Sequence, residues 1–464
     1  MAADSLEQLA LHTIGGGWGS ETQDATHNIR VAVIRGTDIP RLRVGDCSSV
    51  PLRYESSNKV KTRLLKRGDI VLEVSGGSAA SGQHTGRALF VTQEIIESLG
   101  GHVIPASFCR LLRLDAERVE PSFIVYQLDA LHLTGEISEF ENQSTGIANF
   151  QFSRFIQETF PCIEDVPTQA AIARILGTLD CKVELNRKQN ETLEAMARTL
   201  FEAWFVDFEP VRAKIEGRWQ RSQSLPGVPA HLYDLFPDRL VESDLGEIPE
   251  GWRVEELSAH LDVLETGRRP KGGVGGINQG VPSVGAESVI GIGQFDFGKT
   301  KYVSEEFFAA MKSGHAQSMD VMLYKDGGKP GDFRPRVSMF GKGFPFERYA
   351  INEHVFRMRS GTLGQAFLYL QISHERVLFD LRNRGGKAAI PGINQSDVKT
   401  LLLVAPPRDI LVAFDRYVLP MMEGILERAV EGRSLARLRD TLLPKLMSGE
   451  LSAPEAERIV GSAV

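Results

Sequence analysis

Residues 168–208 read TQAAIARILGTLDCKVELNRKQNETLEAMARTLFEAWFVDF, and the periodicity of this stretch governs the architecture of the whole chain. Ile172, Leu176, Leu179, Val183, Asn186, Asn190, Leu193, Ala197, Leu200 and Trp204 recur in alternating steps of four and three. That is a heptad seam, the pattern of a coiled coil. Asn186 and Asn190 lie on the seam, where buried amides give up stability in favour of one register. Asp165 and Pro167 precede the helix as start signals, and Pro210 stops it. A helix of this length spans roughly 60 Å, which predicts a spacer rather than a core helix.

Working outward, a second long helix is predicted from about Asp409 to Lys445. Ile410, Phe414, Tyr417, Met421 and Ile425 form its stripe, which Leu435, Leu438 and Leu442 resume after Gly424 and Gly432. The two helical regions correspond in sequence. Thr192-Leu-Glu-Ala-Met-Ala-Arg-Thr-Leu aligns with Ser434-Leu-Ala-Arg-Leu-Arg-Asp-Thr-Leu, and Pro167 with Pro407. Upstream, Gly68-Asp-Ile-Val-Leu aligns with Met319-Asp-Val-Met-Leu, and Ile34-Arg-Gly-Thr-Asp-Ile with Val284-Gly-Ala-Glu-Ser-Val. The order is globular, helix, globular, helix: one module used twice. The globular parts mix short β-like runs (Asp69–Val74, Val103–Leu114, Val321–Tyr324) with Gly-rich loops such as Ser75–Gly86 and Gly267–Gly280, so they read as α/β or α+β domains.

Composition limits the function classes. The 464 residues exceed one ordinary core, so two or more domains are expected. No run of eighteen apolar residues suggests a membrane span, and the first residues do not read as a secretory signal. Cys47, Cys109, Cys162 and Cys181 lie far apart, which argues against a disulfide framework or zinc site and fits the cytoplasm. The net charge of −7 conceals segregation. Ten basic residues lie between His27 and Arg67 against three acidic ones, whereas Asp234–Glu265 carries ten acidic residues against Arg239 and Arg253. Basic binding surfaces and an acidic connector follow, the alternative being a solvated basic face with no ligand.

Four segments carry a resemblance to a family. Leu200-Phe-Glu-Ala-Trp-Phe-Val-Asp-Phe-Glu-Pro-Val-Arg-Ala-Lys resembles the specificity subunit of type I restriction–modification systems. So do Gly177-Thr-Leu-Asp-Cys-Lys-Val-Glu-Leu-Asn-Arg, Leu235-Phe-Pro-Asp-Arg-Leu through Glu250-Gly-Trp, and Arg439-Asp-Thr-Leu-Leu-Pro-Lys-Leu-Met-Ser-Gly-Glu. The resemblance implies an α+β fold: two globular α/β target-recognition domains separated by two long antiparallel coiled-coil helices, with an internal pseudo-repeat. The first recognition domain would cover 1–165 and the first spacer helix 166–209. An acidic connector (210–250), the second recognition domain (251–406), the second spacer helix (407–450) and a tail (451–464) would follow. The implied partners are double-stranded DNA, two methyltransferase subunits and, in a full restriction complex, motor-nuclease subunits. Methyl donor, ATP and magnesium would belong to those partners, leaving this chain without a cofactor. One departure concerns Asp165-Val-Pro-Thr-Gln, where the family has a longer proline run; the second copy, Ala405-Pro-Pro-Arg, is closer.

Catalytic motifs do not emerge from the residues. An amino-methyltransferase needs a polar acceptor and an aromatic ring around a Pro-Pro pair, but Pro406-Pro407 is flanked by Ala405 and Arg408. Asp238, Glu242 and Asp244 lack the paired lysine of a magnesium nuclease. Gly15-Gly-Gly-Trp-Gly lacks the rest of a phosphate loop, so it reads as a loop carrying Trp18 to a groove or core. Arg and Lys can address guanine, and Asn and Gln can address adenine. Candidate DNA contacts are therefore Trp18, Arg35, Lys59, Lys61, Arg63, Gln83, His84 and Arg87 in the first domain. In the second they are Arg268, Arg269, Lys271, Asn278, Gln279, Lys329, Arg334 and Arg336. Trp204 and Phe205 read as packing residues at a helix interface. The competing readings are a self-contained DNA-modification enzyme and a coiled-coil scaffold with no DNA role.

Overall fold

The computed structural model describes residues 4–76, 84–144, 147–327, 332–386 and 391–463. The chain divides into two units, one comprising 1–185 with 433–464 and the other 186–432. Each is α/β, and each repeats one topology. In the first, strands Ala10–Gly15, Cys109–Leu114, Ile70–Glu73 and Ala88–Phe90 form an open antiparallel sheet in that order. A second sheet orders Leu52–Glu55, Ile29–Ile34 and Val103–Pro105. The second unit sets Val263–Thr266, Val355–Arg359, Val321–Tyr324 and Val337–Met339 in the same order, beside Lys301–Val303, Val281–Val284 and Ala350–Ile351.

The run Val103–Leu114 is two strands, not one. Pro105 offers no N–H to extend the ladder, and the turn at 106–108 carries the chain from one sheet to the other. A buried ion pair marks the same place in both units. Asp69, 1% exposed, accepts from Arg113 Nε at 2.7 Å, and Asp320, fully buried, accepts from Arg357 and Arg359. The residue before each aspartate has positive φ: Gly68 at 90° and Met319 at 63°. Glycine tolerates that conformation freely; methionine holds it while packed against its core.

The long helices correct an expectation. Among the described residues there is no pair of coiled-coil helices standing as a spacer between domains. One very long helical segment, Val166–Phe201 continued by a π turn at Glu202–Val206, links the two α/β units, and its apolar seam is divided between their cores. Ile172, Leu176 and Leu179 are buried in the first core; Ala197, Phe201 and Trp204 are buried in the second. The helix Arg408–Met447 is consumed in the same way. Its Ile410, Phe414, Val418 and Ile425 belong to the second core, and its Leu435, Leu442 and Leu446 to the first. Sheet faces and short helices offer far more apolar area to these seams than one partner helix would, so domain cores compete successfully for them. The sheets stay open and do not close into barrels.

Candidate nucleic-acid interface

In the first unit three elements distant in sequence meet at one edge. The helix Ser57–Arg63 places Lys59, Lys61 and Arg63 there. Arg63 Nε donates to the Gly15 carbonyl at 3.0 Å, tying the helix to the glycine loop. Within that loop the backbone N–H groups of Gly16 and Gly17 donate to the carbonyls of Cys109 and Pro105, each at 2.9 Å. A Cβ on Gly16 would lie 2.0 Å from the Ala106 oxygen, so only glycine fits this approach. The motif is therefore a backbone clasp that fixes Trp18. Trp18 is 40% exposed, with the Arg53 guanidinium 4.8 Å from its ring centroid.

The electrostatics of this edge are uneven. Glu55 is fully buried beneath it, 3.4 Å from Lys59 Nζ, so Lys59 is partly neutralised. Lys61 is exposed and has no ion partner among the described residues. Arg35 is committed inward: it donates to Asp38 at 2.8 and 2.9 Å and to the Ser49 carbonyl. The hydrogen bonds to Asp38 raise the Arg35 pKa. Burial opposes ionisation of Asp38, yet Arg35 and Ser49 together hold its carboxyl below the usual range. Arg87 is likewise locked to buried Glu73 at 2.6 and 2.8 Å. His84 pairs with Glu141 at 2.9 Å. Gln83 lies outside the described residues.

In the second unit Arg268, Lys271, Asn278 and Gln279 are exposed on the loop joining Val263–Thr266 to Val281–Val284. Arg269 instead pairs with Glu353 at 2.5 Å. Glu353 and Asp326 flank His354. Burial resists ionisation of Asp326, but His354 and Lys325 pull its pKa down. Arg334 pairs with Asp332, while Arg336 donates to the Ala286 carbonyl and lies 4.9 Å over the Tyr324 ring. Tyr324–Arg336 occupies the strand register that Glu73–Arg87 fills in the first unit. Lys329 lies outside the described residues. The structure thus gathers Trp18, Lys59, Lys61 and Arg63 at one edge, and it assigns Arg35, Arg87 and Arg336 to contacts within the fold.

The residues expected at helix interfaces divide by unit. Val183 and Leu438 are partly buried against the first core, and Leu193 and Leu200 against the second. Asn186 donates to Glu431 at 2.8 Å and Asn190 to the Ile425 carbonyl at 3.2 Å, so each amide reaches the second long helix. Trp204 and Phe205 stack around Phe414, at 5.7 and 4.8 Å between ring centroids. Sequence reasoning missed Phe108, which is 66% exposed on the turn that receives the glycine loop. It sits inside an apolar alternating run, where nothing distinguishes it from a core residue.

Among the described residues no group of acidic, histidine or cysteine side chains could hold a metal ion, and no helix is long and apolar enough to cross a membrane. Across most of its length the chain is similar, at low identity, to specificity subunits of type I restriction enzymes. It is 27% identical over 449 residues to the type I restriction enzyme HindI specificity subunit of Haemophilus influenzae, covering 84% of this chain and 88% of that one. To the MjaIX specificity subunit of Methanocaldococcus jannaschii it is 26% identical over 288 residues, 62% of this chain and 59% of that one. In fold it is similar to the crystal structure of a type I restriction–modification S subunit from M. genitalium, with a TM-score of 0.50, 13% identity and coverage of 96% and 95%. No family model matches the chain.

Proposed function

We propose that this chain is the non-catalytic specificity subunit of a type I restriction–modification complex. It reads a bipartite DNA site, one half with each α/β unit, and positions two methyltransferase subunits on it, with motor-nuclease subunits in a full restriction complex. The observation that carries this reading is the repetition of one strand order in both units. A chain that uses a recognition module twice can read two half-sites. The similarity to two curated specificity subunits supports it, as does the basic edge bearing Trp18 and Lys61. Recognition domains 1–165 and 251–406 are part of the same proposal, as are phosphate contacts by Lys59, Lys61, Arg268 and Lys271.

The test is domain replacement with methylation mapping. Replacing residues 251–406 with the matching segment of another specificity subunit should change one half of the methylated sequence and keep the other. A change in both halves, or in neither, refutes one unit per half-site. Purified alone, the chain should transfer no methyl groups; with its methyltransferase partner it should direct transfer to the mapped sites.

A further inference from the structure

The turn at 105–109 is tied from several sides by backbone hydrogen bonds. Ala106 N–H donates to the Ile34 carbonyl and Cys109 N–H to the Ala106 carbonyl, both at 2.8 Å. The Phe108 carbonyl accepts from Val74 at 2.8 Å and Ser75 at 3.3 Å. Gly16 and Gly17 close the turn from the other side. All of this fixes backbone, and none of it uses the Phe108 ring. A phenylalanine that could bury against a core for about 2 kcal/mol is instead held two-thirds in solvent.

What surrounds the ring is suited to DNA. An open groove of about 600 Å³ runs past Phe108, Ser75, Arg110, Asn149 and Arg154. Arg110 stacks 4.5 Å over the Phe152 ring, and its Nε is buried without a hydrogen-bond partner among the described residues. Ser75 Oγ donates to Asn149 Oδ1, and the exposed Asn149 amide N–H groups have no acceptor among the described residues. The glycine clasp connects this groove to the helix bearing Lys61. Arg154 is paired with Glu158 at 2.9 Å, so the positive charge of Arg110, an amide donor and one apolar ring converge on a single concave strip.

We propose that Phe108 is a specificity-determining residue that contacts the 5-methyl group of a thymine in the half-site read by the first unit. This rests on the specificity-subunit reading. The ring has no hydrogen-bonding group, and the thymine methyl is the one apolar group that a base edge presents in the major groove. His354 fills the corresponding turn position of the second unit, where its carbonyl accepts from Lys325 as that of Phe108 accepts from Val74. Asp326 and Glu353 hold its ring, so this turn position presents a paired imidazole rather than an apolar ring.

The experiment uses the complex of the full chain with its methyltransferase partner. Its probe is a duplex carrying the sequence found by mapping methylated bases in cells that express both. Each thymine of the two half-sites is replaced in turn by deoxyuridine, which removes only the methyl group. For the parent complex, one replacement in the first half-site should weaken binding roughly 5- to 10-fold. Phe108→Ala should bind the parent duplex more weakly by a similar factor and be indifferent to that replacement. Phe108→Leu should retain part of the sensitivity. Both variants should keep the parental salt dependence, which reports that the phosphate contacts and the fold survive. The proposal is overturned if no first-half replacement matters, or if Phe108→Ala remains as sensitive as the parent. It is also overturned if the affected thymine lies in the second half. If cells expressing the chain and partner show no chain-dependent methylation, the specificity-subunit reading fails first and this proposal with it.

Discussion

Gly16 and Gly267 show how much of this protein rests on single atoms. Neither has positive φ, so backbone freedom is not the reason for glycine. A Cβ at Gly16 would lie 2.0 Å from the Ala106 oxygen and 2.3 Å from the Pro105 oxygen; at Gly267 it would lie 1.6 Å from the Ile351 oxygen. These obstacles are backbone and cannot rotate away. Gly16→Ala should therefore cost about 1–3 kcal/mol through overpacking and should displace the turn bearing Phe108. Gly15→Ala, whose Cβ would meet nothing within 4 Å, is the matched control and should be close to neutral. Urea unfolding of both variants checks this. Equal effects at the two positions would show that the clasp yields. The glycine run was visible in the sequence, but its purpose was not, because the oxygens that demand it lie some ninety residues away.

At the scale of elements, Asp415 is a polar residue on the otherwise apolar inner side of the helix Arg408–Met447. It packs against Gly364, just before the helix Gln365–Ser373, and its Oδ1 has no hydrogen-bond partner among the described residues. Burial pushes its carboxyl up to about 6. Folding thus raises an acid's pKa, so the ionised form is the one that folding disfavours. The penalty is absent below the unfolded value of 3.8, grows between there and about 6, and is complete above that. Asp415→Asn should stabilise the protein by roughly 1 kcal/mol at about pH 8, after allowing for solvent screening of a part-exposed group, and by nothing at about pH 3.5. An equal gain at both pH values would assign the effect to packing. The helix itself was legible from Ile410, Phe414 and Ile425, because periodicity is a local signal. What the seam packs against is not local. Ile172–Leu179 and Ala197–Trp204 read alike as heptad positions, yet they serve two different cores.

Across the whole molecule the repeat is faithful in topology and unfaithful in charge. The aligned segments Gly68–Leu72 and Met319–Leu323 do fall on corresponding strands, each led by its ion-paired aspartate. The side chains on the exposed elements diverge. Helix Ser57–Arg63 carries Lys59, Lys61 and Arg63; the corresponding Glu305–Ala310 carries Glu305, Glu306 and no cation. Nearby Lys299 and Lys301 are paired with Asp296 at 2.9 Å and Glu287 at 2.5 Å. If the first unit supplies more of the phosphate attraction, the salt dependence of DNA binding will reveal it. Each phosphate contact contributes about 0.9 to the slope of log K against log salt. Lys61→Gln should lower that slope by about one such unit. Lys59→Gln should lower it less, because Glu55 already opposes that charge at 3.4 Å. Lys299→Gln with Lys301→Gln should leave it nearly unchanged, since both ammonium groups are neutralised within the fold. Fluorescence anisotropy of the assembled complex on one duplex across a salt series measures all three. A slope that falls with the second pair but not with Lys61 would place the electrostatic anchor in the second unit and detach helix Ser57–Arg63 from the DNA.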